Sequence, residues 1–326
     1  MNVLRSAIRA ATLAALAAAC FFRPAAAAEP IHDALLREHL WREIRAMPPG
    51  QRPKVGVALS GGGFRGGAHL GVLQVLDEAG FPVDVVAGTS MGAIIGSIYS
   101  SGMPMPKLLE LRHALHFGTG TDLSSYRLLQ LVLADQLMST KKMERFIRET
   151  IGDKTFDQLA KPFACVAMDI KTGEPIIFRE GPVAPAVRAS MTLPGLFAPV
   201  EYRHRYLVDG GVVDYIPVNA AKLLGAQWVL ASVTEGDYTK TQLTNVLFAL
   251  QQVIDIRGAL LAQEERRQAD IAVDSPVGDI HFYQSWRVDE AMRKGRMAMK
   301  AKLFEAQRSL IVQALPQLWK LWLQPR

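Results

Sequence analysis

The sequence predicts an α/β protein, a mainly parallel sheet sandwiched by helices, with a helical C-terminal extension. Three observations carry this reading. Apolar runs at residues 54–60 and 83–88 each end in a glycine-bearing turn and lead into helical patterns at 68–79 and 93–100. Two strand–turn–helix units in series imply parallel strands covered by helices. From residue 243 onward the apolar spacing is mostly helical.

The chain has 326 residues, 49% hydrophobic and 21% charged, enough to bury one sizeable core with an appendage. Residues 1–28 carry Arg5 and Arg9, an Ala/Leu-rich run and the small-residue stretch Ala26-Ala27-Ala28. That order describes a cleaved export signal, with the periplasm or the medium as destination. The alternatives are a membrane anchor, for which the apolar run is short, and a lipoprotein anchored through Cys20. With the signal removed, Cys165 is the one cysteine left, so the mature fold needs no disulfide. The formal charge of +6 falls to +3 without Arg5, Arg9 and Arg23. That is too little to argue for a nucleic-acid partner.

Residues 29–52 read as an N-terminal helix and linker, closed by Met47-Pro48-Pro49-Gly50. Residues 53–235 read as the α/β domain. Helices are expected at 105–116, 142–151, 183–190 and 218–224. Strands are expected at 163–169, 206–209 and 228–233, with a hairpin from 163–169 into 175–178 through Thr172-Gly173-Glu174. Residues 236–326 read as the extension packing on that domain, with helices at 245–268 and 303–323.

Chemistry concentrates in two glycine-rich turns. Gly88-Thr89-Ser90-Met91-Gly92 follows a strand and opens a helix, the setting of a nucleophilic serine elbow. Glycines at 88 and 92 leave room for a tight turn, and Ser90 falls at a helix start, where free N–H groups favour negative charge. A plain strand–helix turn is the alternative. Gly61-Gly62-Gly63-Phe64-Arg65-Gly66 offers unhindered amides for an oxyanion. A nucleotide-binding turn would want an acid at the end of the next strand, and that strand ends in Gly88-Thr89-Ser90 instead. Arg65 either holds the turn in shape, helps polarise the carbonyl, or sits in a structural ion pair. A base for Ser90 is harder to find. His204 lies in the charged stretch Arg203-His204-Arg205 and His281 in the tail, neither in a catalytic setting. Asp209 closes an apolar strand before Gly210-Gly211, at the carboxyl edge where open α/β sheets build sites. Partial burial beside Ser90 would raise its proton affinity. A simple Asp-Gly turn is the alternative.

Taken in order, the glycine turn 61–66, the elbow 88–92 and Asp209-Gly210-Gly211 resemble the three signature blocks of patatin-like phospholipases. Residues 189–200, Ala-Ser-Met-Thr-Leu-Pro-Gly-Leu-Phe-Ala-Pro-Val, resemble that family's serine–proline–glycine loop. The likeness spans about residues 55–219. It implies Ser90 as nucleophile and Asp209 as its sole partner. It also implies an oxyanion site built from Gly61, Gly62, Gly63 and Arg65, with Gly66, Gly210 and Gly211 as motif glycines. The implied reaction is hydrolysis of phospholipid or related acyl esters, with no cofactor and no metal. A carboxylesterase, an acyltransferase and a catalytically silent lipid-binding protein are the alternatives. Met103, Met105, Leu108, Leu109 and the run 128–138 either line an acyl channel or are core. Trp319 and Trp322 either touch a lipid interface, giving peripheral membrane contact, or pack inside.

Overall fold

A computed structural model describes residues 31–114, 140–240 and 246–323. The expected signal at 1–28 and the apolar run at 128–138 lie outside the described residues.

Helix α1 (Ile31–Ala46) leads to strand β1 (Val55–Leu59) and a 3-10 turn (Gly63–Gly67). Helix α2 (Ala68–Glu78), strand β2 (Val85–Thr89), and helices α3 (Met91–Ser100), α4 (Met105–Ala114) and α5 (Lys141–Ile151) follow. Next come β3 (Phe163–Asp169), β4 (Pro175–Phe178), α6 (Val183–Ser190), β5 (Val200–Tyr202) and β6 (Arg205–Asp209). The chain continues through α7 (Val218–Leu223), β7 (Trp228–Val233), α8 (Val246–Gln268), β8 (Ile271–Asp274) and α9 (Val288–Leu323).

The described strands form one eight-stranded sheet in the order β5-β6-β3-β2-β1-β7-β8, with β4 also paired to β3. Pairs β1–β2, β2–β3, β1–β7 and β7–β8 are parallel, while β3–β4, β3–β6 and β5–β6 are antiparallel. Successive side chains alternate between two cores, as strand geometry requires. Val57, Leu59, Val86, Phe163, Cys165, Trp228 and Leu230 join the larger core. Ala58, Ala87, Ala164, Val166, Val229, Ala231 and Val233 face the other side, where α7 and α8 supply Val218, Ala220, Ala221 and Ala262.

Three features depart from the sequence expectation. Strand β6 is antiparallel to its neighbour, so Asp209 does not end a parallel strand. Segment 236–326 is not purely helical, because β8 pairs in parallel with β7 and extends the sheet. Helix α9 begins at Val288, fifteen residues before the expected start at 303. Its buried seam runs Val288, Ala291, Gly295, Met299, Ala306, Leu310, and half of those are too small to register as apolar periodicity.

Helix α9 crosses α2 at backbone distance. A Cβ at Gly295 would overlap the Ala68 carbonyl, and one at Gly71 would overlap the Met292 carbonyl. Overpacking a close contact costs about 1–3 kcal/mol, more than the roughly 1 kcal/mol that alanine gains over glycine in a helix. Gly295→Ala is therefore expected to lower the urea unfolding midpoint. A midpoint at or above the wild-type value would contradict this packing.

Candidate active site

The site follows from how three strands share one edge. Strand β2 pairs with Phe163 to Val166 of β3, ending at Thr89 opposite Val166. Strand β4 pairs with Cys165 to Met168 and so occupies the other edge. Strand β6 pairs with Ala167 to Asp169, which places it on the β2 edge, and it stops at Asp209 opposite Ala167. Strands β2 and β6 thus run toward each other along β3 and end one residue apart. Ser90 and Asp209 are the residues at that meeting point.

Ser90 takes φ 56° and ψ −119° between β2 and α3. Positive φ is costly for a residue with a side chain and is held here by its surroundings. A Cβ at Gly88 would overlap the Gly92 carbonyl, and one at Gly92 would overlap the carbonyl of Leu59. The elbow can therefore close only with glycine at both positions. The Ser90 N–H donates to Ser190 Oγ at 3.0 Å, and Thr89 Oγ1 donates to the Asp214 carbonyl at 2.9 Å. Two residues past Ser190, the Thr192 carbonyl accepts the Asp209 N–H at 2.8 Å. The last residue of α6 and the segment just after it therefore fix both strand ends.

Ser90 is 7% exposed and Asp209 2%. Asp209 Oδ1 accepts the Gly211 N–H at 2.8 Å. Oδ2 is buried without a hydrogen-bond partner of good geometry. Burial pushes the Asp209 pKa up to about 6; the nearby Ser90 hydroxyl and the Gly211 N–H pull it partly back. A Cβ at Gly210 would overlap the Val166 carbonyl, so the turn after Asp209 lies flat on β3.

The glycine turn 61–66 closes over Ser90. Gly62 has φ 143° and Gly63 φ 57°, conformations open to glycine. Of the four residues expected to form the oxyanion site, two have other duties. The Gly61 N–H donates to the Tyr215 carbonyl at 3.0 Å, and its carbonyl accepts from the hydroxyls of Thr234 (2.7 Å) and Ser60 (2.9 Å). Gly61 is an anchor, and its amide is not free for an oxyanion. Arg65 lines the cavity, but its Nη2 is bonded to Asp255 Oδ1 at 3.1 Å, the ion-pair alternative. Neither the Gly62 nor the Gly63 N–H donates to an acceptor among the described residues. Gly66 packs against Met91, at the first turn of α3.

Ser90, Asp209, Gly62, Gly63 and Arg65 line one cavity together with Leu193, Tyr215, Gln251, Ile254, Asp255 and Phe282. Leu193 belongs to the 189–200 loop of the resemblance, while Tyr215, Gln251, Asp255 and Phe282 were not singled out from the sequence. Gln251, Ile254 and Asp255 come from α8, and no local motif marks them. Met105 and Leu108 are buried in the main core and Met103 and Leu109 pack on it, so the expected channel lining is core at these four positions. His204 sits with φ 65° in the exposed β5–β6 turn, and His281 stacks on Tyr283. Neither lines the cavity. Trp322 packs against the main core. Among the described residues, no cluster of three or more His, Cys, Asp or Glu could hold a metal ion.

The architecture is an α/β sandwich with a serine elbow opposite a buried carboxyl. A patatin-like phospholipase family model matches residues 57–222. The chain belongs to the patatin-like phospholipase family. It is 34% identical over 188 residues to the uncharacterized NTE family protein Rv1063c of Mycobacterium tuberculosis, covering 56% of this chain and 50% of that one. It is 36% identical over 179 residues to lysophospholipase nte1 of Aspergillus fumigatus, covering 54% of this chain and 12% of that one. The crystal structure of VipD from Legionella pneumophila aligns with a TM-score of 0.47 at 15% identity, covering 78% of this chain and 67% of that one. The chain spans about half the length of the first curated relatives it matches.

Two further acids are buried beside the site. Glu265 of α8 accepts the N–H groups of Tyr215 (3.1 Å) and Ile216 (2.7 Å), and burial pushes its pKa up to about 7. Burial alone pushes Asp214 up to about 6. Its folded pKa exceeds the unfolded one, near 3.8. The carboxyl is therefore cost-free below about pH 4 and increasingly costly as pH rises through about 6. Asp214→Asn is expected to gain stability relative to wild type between those values, by about 2–3 kcal/mol at the plateau. Parallel melts from pH 4 to 7.5 check this. A pH-independent difference would show that Asp214 titrates normally.

Proposed function

We propose that the chain is a serine acyl hydrolase acting on phospholipid or related lipid esters through a Ser90–Asp209 dyad. The observation that carries this reading is the end-to-end meeting of β2 and β6, which seats a strained serine and a poorly solvated carboxyl in one cavity under two free amides.

In the first half-reaction, Asp209 accepts the Ser90 hydroxyl proton as Oγ attacks the ester carbonyl. The oxyanion is held by the N–H groups of Gly62 and Gly63. Collapse expels the alcohol or lysolipid, which takes the proton back, and leaves an acyl-serine. Water then attacks the acyl group with Asp209 again as base, and the acid is released. An alcohol in place of that water would make the same enzyme an acyltransferase.

The lipid substrate is met at a lipid surface. Leu250, Val253 and Leu260 stand exposed on α8, the helix that supplies Ile254 and Asp255 to the cavity. Trp286 is exposed and packs edge-on against Tyr283, the residue after the cavity-lining Phe282. Their exposure supports peripheral contact, since tryptophan and aliphatic side chains favour the interfacial zone. Read with the N-terminal signal, the site of action is outside the cytoplasm.

A fluorophosphonate probe is expected to modify the peptide bearing Ser90 and to leave Ser90→Ala unmodified. Modification of a different residue would overturn the assignment. Asp209→Asn is expected to lower ester hydrolysis about 10²–10⁴-fold, the range of a lost general base. His204→Ala and His281→Ala keep most of the activity. The base must be ionised to act, so the rate rises with pH through about 6 and levels above it. A rate that is flat from pH 5 to 8 would remove Asp209 from that role.

A further inference from the structure

Helix α8 lies far from the sequence motifs yet grips the glycine turn from two sides. The first tie runs through Arg65, whose guanidinium is buried inside the turn. Its Nη2 donates to Asp255 Oδ1 at 3.1 Å, across 190 residues of chain. Burial works against the charge, and Asp255 and Tyr215 more than offset that. On another side the guanidinium lies against Gly236, where a Cβ would overlap it. Gln251, one turn before Asp255, donates from Nε2 to the same Oδ1 at 3.3 Å. The second tie runs through Glu265, which holds the N–H groups of Tyr215 and Ile216, while the Tyr215 carbonyl holds the Gly61 N–H.

These ties matter because the turn cannot hold itself. Gly62 and Gly63 adopt left-handed conformations and have no side chains to lock them. Gly61 is fixed through Tyr215 and Thr234, and Phe64 through its N–H to the Phe282 carbonyl at 2.9 Å. Arg65 is the charged side chain in the turn, and Asp255 is the carboxylate that holds it.

We propose that Asp255 is a positioning residue. Through Arg65 it sets the direction of the Gly62 and Gly63 amides, so α8 is part of the site rather than a wall beside it. Its effect on turnover rests on the acyl-transfer reading above; its effect on the turn does not. A buried guanidinium that loses its counter-ion is costly to keep in place, so it rotates toward water and takes the turn with it. Amides displaced by a fraction of an ångström still admit substrate but no longer meet the developing charge.

The test compares wild type, Asp255→Asn, Asp255→Glu and Arg65→Lys by three readouts. These are the melting temperature, amide hydrogen exchange across residues 61–67, and the rate of fluorophosphonate labelling together with kcat and KM on a soluble ester. For Asp255→Asn the expectation is exchange at 61–67 faster by about 10-fold, with protection of the sheet strands unchanged. Labelling and kcat fall by about 10-fold or more with KM within about 2-fold. Asp255→Glu restores part of both. Arg65→Lys, which keeps the charge and loses the planar fork, shows the same pattern and serves if Asp255→Asn does not fold. Wild-type exchange and labelling in a folded Asp255→Asn would overturn the proposal. So would a loss of protection spread over the whole sheet, which marks general destabilisation. If wild type itself does not label or hydrolyse esters, the acyl-transfer reading fails, and the exchange comparison still decides whether Asp255 positions the turn.

Discussion

The site depends on the pairing capacity of a single strand edge. β3 offers one side to β4 from Cys165 to Met168 and divides the other between β2 and β6. Because β2 is parallel and β6 antiparallel to β3, their carboxyl ends converge. A serine following β2 and an aspartate ending β6 then face each other whatever the chain does between them. The arrangement is sensitive to register, since sliding β6 by one residue would turn the Asp209 side chain to the opposite face. The register is held at both ends of β6. Arg205, at its start, reaches Asp169 (3.3 Å) and Glu174 (2.6 Å) on the β3–β4 hairpin, and the Asp209 N–H at its end bonds the Thr192 carbonyl at 2.8 Å.

The sequence made the first half of this legible. Strands β1, β2, β3 and β7 and helices α2, α3 and α6 lie within a residue or two of where apolar runs and glycine turns put them. Fully buried strands read as continuous apolar runs, and the sharp turns around Ser90 leave glycines that sequence alone exposes. The direction of β6 was not legible. The β5–β6 hairpin turns through Arg203 and His204 in left-handed conformations, without the glycine or asparagine that normally marks such a turn. β8 is four residues long and alternates buried positions with a half-buried and an exposed one, too short a signal beside two long helices. Whether a glycine amide is free is a tertiary fact. Gly61, Gly62 and Gly63 are identical as letters, and only the Tyr215 carbonyl separates the anchor from the two available donors.

The C-terminal third carries more of the site than its pattern implied. Helix α8 supplies cavity walls, a counter-ion to Arg65 and an acceptor for two N–H groups beside the Asp209 turn. Its large apolar residues divide: Leu250, Val253 and Ile256 are exposed and Ile254 lines the cavity, while Gly258, which no apolar pattern marks, is where the Tyr215 ring packs. Helix α9 behaves the same way, meeting α2 through Gly295 and Ala291. Closest approach is made by the smallest residues, so the tightest contacts of these helices are those hydrophobic periodicity cannot see.

The electrostatics explain why a histidine need not complete the proposed site. One is close by: His69 lies fully buried under the glycine turn, with Nδ1 2.8 Å from Ser232 Oγ and Nε2 3.0 Å from the Ser60 carbonyl. Both nitrogens are occupied, and burial lowers its pKa to about 4, so it stays neutral and braces the turn. On the proposed reading, the base that works near neutrality is a carboxylate made more basic than usual. Withholding solvent does this. Asp209 has one backbone N–H on Oδ1 and no well-formed bond on Oδ2, the oxygen left for a serine proton. A second strong donor would stabilise the carboxylate and return its pKa toward the ordinary range, weakening the base. On the proposed reading, the unsatisfied oxygen is the functional feature. The fold sustains it because Asp209 ends a strand pinned at Thr192 and Gly210 lies flat on β3, so the carboxyl has no room to swing away toward water.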